Sequence, residues 1–99
     1  MKEIVDLTFA SLNLPNTLPE TAGWEEVRAV LATYLDELVQ TDFNRLLSIL
    51  YRIDVSEIKV KASLAANPEN RSAGYIIAGL IMERQQQKIE FRRQYGTSL

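Results

Sequence analysis

Phe43 to Ile53 reads FNRLLSILYRI, the most continuously apolar segment of the chain that also carries a helical period. At about 100° per residue, Phe43, Leu46, Leu47, Ile49, Leu50, Tyr51 and Ile53 sweep an arc of roughly 200°. Asn44, Arg45, Ser48 and Arg52 leave only a narrow polar side. A helix on the surface of a domain needs an apolar stripe little wider than about 100°. The wider arc predicts neighbours on several sides, and so the central helix of the fold. Thr41 or Asp42 is placed to cap its start, since either side chain can accept an unpaired first-turn N–H.

Working outward, the preceding segment gives the cleanest amphipathic pattern. Trp24, Val27, Val30, Leu31, Tyr34, Leu35 and Leu38 recur at three- and four-residue spacing, which predicts a helix from Ala22 or Gly23 to Gln40. Thr21 is the expected N-cap, with Glu25 and Glu26 in the positive first turn. Arg28, Ala29, Ala32, Thr33, Asp36 and Glu37 fall mostly on the other faces. Almost no linker separates this helix from Phe43, so the two pack as a hairpin or at a sharp angle.

After Ile53, Asp54-Val55-Ser56-Glu57 has the form of a capping box with Asp in the first place. It predicts a short helix over 55–66 that buries Ile58, Ala62 and Ala65 and stops at Asn67-Pro68. The last helix runs from about Ser72 to Tyr95. Its first half has an apolar face of Ala73, Ile76, Ile77 and Leu80, with Met82 and Ile89 pointing away. Further on, that face carries Arg84, Lys88, Phe91 and Tyr95. At about 36 Å, this helix outruns the others. Gly74 and Gly79 sit inside the pattern and signal close packing rather than a phosphate loop.

The N-terminal residues allow two readings. Ile4, Leu7, Ser11 and Leu12 fit a helix face; Val5, Leu7 and Phe9 fit an alternating strand. No other strand is in sight, so a strand here would pair only with a symmetry mate, and a short helix is favoured. Asn13 to Gly23, with Pro15 and Pro19, reads as an irregular connector pinned by Leu12, Leu14 and Leu18. The expected architecture is therefore all-α: one domain over 1–99, with residues 1–21 as N-terminal segment and connector. Four main helices form a bundle over 22–95, with a short N-terminal helix and a long C-terminal one. Ninety-nine residues leave room for one core.

Composition excludes several chemistries. The chain has no cysteine and no histidine. That removes disulfides, thiolate metal sites, the commonest zinc ligand and the commonest general base. Asp36, Glu37, Asp42, Asp54 and Glu57 match no calcium-loop spacing. No metal, cofactor or enzymatic activity is expected. Tyr75 to Met82 is the longest uncharged apolar run, far short of the roughly 20 residues of a membrane span. The start, MKEIVDL, has acids where a secretory signal needs an apolar core, so a cytoplasmic location is expected.

Net charge is −2, unevenly spread. Residues 1–42 carry two basic side chains against eight acidic ones, net −6; residues 43–99 carry nine against five, net +4. The halves either complement each other within the fold or meet between subunits. The end of the last helix has three readings. Phe91 and Tyr95 fold against the N-terminal segment. Or Arg84, Lys88, Phe91, Arg92 and Tyr95 form an interface with a protein partner or a second copy. Or Arg84, Lys88, Arg92 and Arg93 hold nucleic-acid phosphates. Overall acidity argues against the last. The functional expectation is a small interaction module, self-associating through its long C-terminal helix.

The run Asn44-Arg45-Leu46-Leu47-Ser48-Ile49-Leu50-Tyr51-Arg52-Ile53-Asp54-Val55-Ser56-Glu57, with Met82-Glu83-Arg84-Gln85-Gln86-Gln87-Lys88 after it, resembles a group of small uncharacterised bacterial all-helical proteins. The resemblance spans roughly the C-terminal half to two-thirds of the chain. It implies a bacterial cytoplasmic protein and carries over no functional residue.

Overall fold

The computed structural model describes residues 2–95. Five helices follow one another: α1 Lys2–Ser11, α2 Trp24–Thr41, α3 Phe43–Ile53, α4 Glu57–Ala66 and α5 Ala73–Tyr95. The fold is all-α, and the N-terminal segment is the short helix.

Helix ends are set by local chemistry. Asp42 alone separates α2 from α3, and its Oδ1 accepts the Arg45 N–H at 3.1 Å. Gly23, not Thr21, precedes α2, and its N–H donates to Glu26 Oε1 at 3.3 Å. Ser56, not Asp54, caps α4 by accepting the Lys59 N–H. Asp54 instead closes α3 in the left-handed conformation, φ 66°. The Val55 N–H reaches Leu50 O, and the Asp54 N–H reaches Tyr51 O. Asn13, φ 57°, closes α1 by the same pair of bonds, Leu14 N–H to Phe9 O and Asn13 N–H to Ala10 O. These paired bonds satisfy carbonyls that a helix end would otherwise leave open, and Asn and Asp tolerate the required backbone better than most residues.

The core lies between α2 and α5. Val27, Leu31, Leu35 and Leu38 of α2 are buried against Ile77, Ala78, Leu80, Ile81 and Met82 of α5. Burying each of the larger side chains contributes about 1.5–3 kcal/mol before ordering costs. Val5, Phe9 and Leu12 close one side; Leu46, Ile49 and Ile53 close another.

This packing corrects the expectation for Phe43–Ile53. The central helix is α5, where residues 77–82 are buried without a break. Residues in an unbroken buried run point all round a helix, so α5 has neighbours on every side there. Met82 accordingly lies in the core and not on an outer face. Helix α3 buries only Leu46, Ile49 and Ile53; Phe43, Leu47 and Tyr51 face solvent. Helix α4 is corrected as well. It packs principally on α5 through Val60, and the face expected inside, Ile58, Ala62 and Ala65, is exposed.

The polar face of α2 is not idle. Gly74 and Gly79 let α5 approach it so closely that a Cβ on Gly74 would lie 2.5 Å from Ala32 O. Across this contact Asp36 Oδ1 accepts the Gly74 N–H at 2.7 Å. A carboxylate at a helix N-terminus is favoured by the helix dipole as well as by the bond. Arg28 donates from Nε to Tyr75 O at 2.9 Å and stacks 3.8 Å from the Tyr75 ring centroid.

Candidate interaction surface

The last turns of α5 hold the residues singled out from the sequence, and the fold gives them different tasks. Arg84 is an internal clamp. Its Nε donates to Asp54 O and its Nη2 to Asp54 Oδ2, both at 3.1 Å, while Nη1 reaches Gln87. The guanidinium thereby fixes the left-handed junction between α3 and α4. Lys88 is half-buried; burial and the neighbouring Arg84 charge push its ammonium below the usual lysine range. Phe91 is 65% exposed and Arg92 is exposed. Tyr95 ends α5, and its side chain lies outside the described residues. Arg93 pairs with Glu3 at 3.0 Å, so α1 runs beside this end of α5. Half-buried Ile89 lies with Lys2, Glu3 and Ile4 along that seam.

The acidic and basic halves meet within the fold at Arg93–Glu3 and where the Tyr75 hydroxyl donates to Glu25 Oε2 at 2.7 Å. That bond, with partial burial, raises Tyr75 above the ordinary phenol range. Tyr75 borders an open cleft of about 550 Å³ with Glu25, Arg28, Asn67, Glu69 and Arg71. Both arginines stack on the tyrosine ring, and Arg71 also pairs with Glu69. Its charges are thus largely balanced among themselves. Among the described residues, no group of three acidic side chains is placed to hold a metal ion. Nor is any described helix long and apolar enough to cross a membrane.

The surface that sequence reading assigned to the core is the outer side of α3. Phe43 is 54% exposed, Leu47 47% and Tyr51 90%. They stand four residues apart, one helical turn each, and form a line about 12 Å long. Asn44 and Ser48 fill the adjoining exposed positions, and the exposed Arg52 and Arg45 border the arc beyond them. Both arginines of α3 are drawn back to the body. Arg45 donates from Nε to Tyr34 OH, and Arg52 from Nη1 to Ser11 O, each at 3.3 Å. The visible signal was an apolar arc too wide for one contact face. Such an arc fits a buried helix or a helix with a second face for something else.

No family model matches the chain, and no curated protein or solved structure shows significant similarity to it.

Proposed function

We propose that this protein is a small non-enzymatic interaction module that docks through the outer side of α3. The observation that supports this is the uncharged line of Phe43, Leu47 and Tyr51 on a surface otherwise rich in charge. Aromatic side chains in such a position supply large contact area at little entropic cost and dominate docking energetics. The tip of α5, the surface expected from the sequence, offers Phe91 as its large exposed apolar side chain, next to Glu90 and Arg92. The α3 face offers three along one line, with Arg45 and Arg52 at its border and not within it.

Site-specific photo-crosslinking in cells tests this. A benzophenone amino acid at position 51 should give a discrete protein adduct that disappears when Leu47→Asp is added. The same probe at exposed position 20 should give none. A probe at 51 that yields no adduct, or one indifferent to Leu47→Asp, would remove the α3 face from consideration.

A further inference from the structure

We infer that the cleft beside Tyr75 is a binding site for a small zwitterion of the α-amino-acid type, its carboxylate on Arg28 and its ammonium on Glu25. This site is separate from the α3 face and does not depend on it. Two charges that could meet are held apart here. Glu25 and Arg28 stand three residues apart on α2, a spacing at which opposite charges are neighbours. Among the described residues they form no ion pair with each other. Each is instead bound to a different end of Tyr75. The hydroxyl donates to Glu25 Oε2 at 2.7 Å, and Arg28 Nε donates to the backbone O at 2.9 Å. The length of the tyrosine spaces the carboxylate from the guanidinium.

Arg28 is built into its place. Gly79 leaves room for the guanidinium, since a Cβ there would lie 2.6 Å from Arg28 Cζ, and the Tyr75 ring stacks on it at 3.8 Å. These contacts use Nε and the flat face of the group. The terminal nitrogens, a fork suited to a carboxylate, have no hydrogen-bond partner among the described residues. Glu25 Oε1 likewise accepts no hydrogen bond among them. Both side chains line the cleft.

Charge balance selects the ligand. Arg28 and Arg71 share the cleft with Glu25 and Glu69, and no lysine lines it. A plain anion would gain the arginines and meet two carboxylates; a plain cation would meet the reverse. A ligand with both signs a few bonds apart answers both. Ile76, beside the tyrosine, gives its side chain an apolar place. The volume of about 550 Å³ is within the range of small-molecule sites. Because the cleft is open, a ligand of about nine heavy atoms binds weakly, with a Kd of roughly 1 mM.

Amide chemical shifts of the full chain, titrated with L-leucine, test this. Saturable shifts should centre on residues 25–28 and 71–76. N-acetyl-L-leucine lacks the ammonium and L-leucinamide lacks the carboxylate, so each should bind at least about ten-fold more weakly. Tyr75→Phe removes the hydroxyl that holds Glu25 off Arg28 and should weaken L-leucine by a similar factor. Glu25→Gln, an exposed change, should do the same while the amides of α3 keep their positions. Shifts that stay linear up to about 50 mM L-leucine overturn the site. Equal binding of all three probes overturns the zwitterion as its ligand. Saturable shifts confined to another part of the molecule overturn its placement beside Tyr75, and full-strength binding by Glu25→Gln overturns the role of the carboxylate.

Discussion

Thr8 shows how one atom can be misplaced in an otherwise satisfied fold. It is fully buried between α1 and the core, and its Oγ1 finds no hydrogen-bond partner among the described residues. Close in sequence, Ser11 Oγ donates to Leu7 O at 2.8 Å and accepts from the buried Gln85 Nε2 at 3.2 Å. An unpaired buried hydroxyl loses its water without compensation, whereas a methyl of the same shape loses nothing. Thr8→Val keeps the branched shape and should raise stability by about 1 kcal/mol, seen as a higher urea midpoint at unchanged slope. A lower midpoint would mean that the hydroxyl is satisfied after all. Neither Thr8 nor Gln85 was legible as a core residue. Thr8 lies one position past Leu7 on a segment whose period was ambiguous, and Gln85 sits inside a run of three glutamines. Their burial follows from α1 lying along α5, which no local pattern encodes.

At the scale of elements, the pairing of α2 with α5 depends on two glycines that meet different obstacles. A Cβ on Gly74 would meet a backbone oxygen, Ala32 O, at 2.5 Å, and Asp36 Oδ1 at 2.6 Å. A Cβ on Gly79 would meet the end of the Arg28 side chain at 2.6 Å. Backbone cannot swing aside, and a guanidinium can. Gly74→Ala should therefore cost about 1–3 kcal/mol through overpacking, even though alanine favours the helix by about 1 kcal/mol. Gly79→Ala loses the Arg28 stacking and regains helix propensity, and should fall within about 1 kcal/mol of the parent. Denaturant curves for the two variants check the order; equal costs would show that the α2–α5 spacing is not set at Gly74. The close packing at these glycines was readable from their place in a helical pattern. The boundaries of α3 were readable too, since its period and the Asp42 cap agree. What misled was treating arc width as burial. The arc on α3 is apolar on an inner side and an outer side, and composition cannot tell the two apart. The run from Tyr75 to Met82 was the better sign of the centre, because the stretch from Ile77 through Met82 turns apolar or glycine surface in every direction.

For the molecule as a whole, that hierarchy should appear as a gradient of local stability. Helices α2 and α5 share the deepest core, and the residues from Ile77 to Met82 are enclosed on all sides. Helix α4 buries Val60 alone, packs principally on α5, and is bounded by the Ser56 cap and the Asn67 side chain bridging to Arg71. Its ion pairs, Lys61–Glu57 and Lys59–Glu83, are exposed, and such pairs add at most a few tenths of a kcal/mol to about 1 kcal/mol each. A ten-residue helix cannot hold itself together in water. Opening α4 therefore sacrifices one buried valine and the half-buried Leu64, whereas opening α5 exposes the whole core. Native-state hydrogen exchange should find the amides of residues 77–85 exchanging only through global unfolding. Those of residues 60–66 should open at a free energy several-fold smaller and nearly independent of denaturant. The α3 face belongs to the stable part, because Leu46, Ile49 and Ile53 tie it to the core and Arg84 clamps its end at Asp54. Its central amides, residues 47–50, should be protected nearly as well as α5. Equal protection of α4 and α5 would mean that the molecule unfolds as one unit. Early exchange of α3 would mean that its outer face is offered by a fraying helix and not by a fixed one.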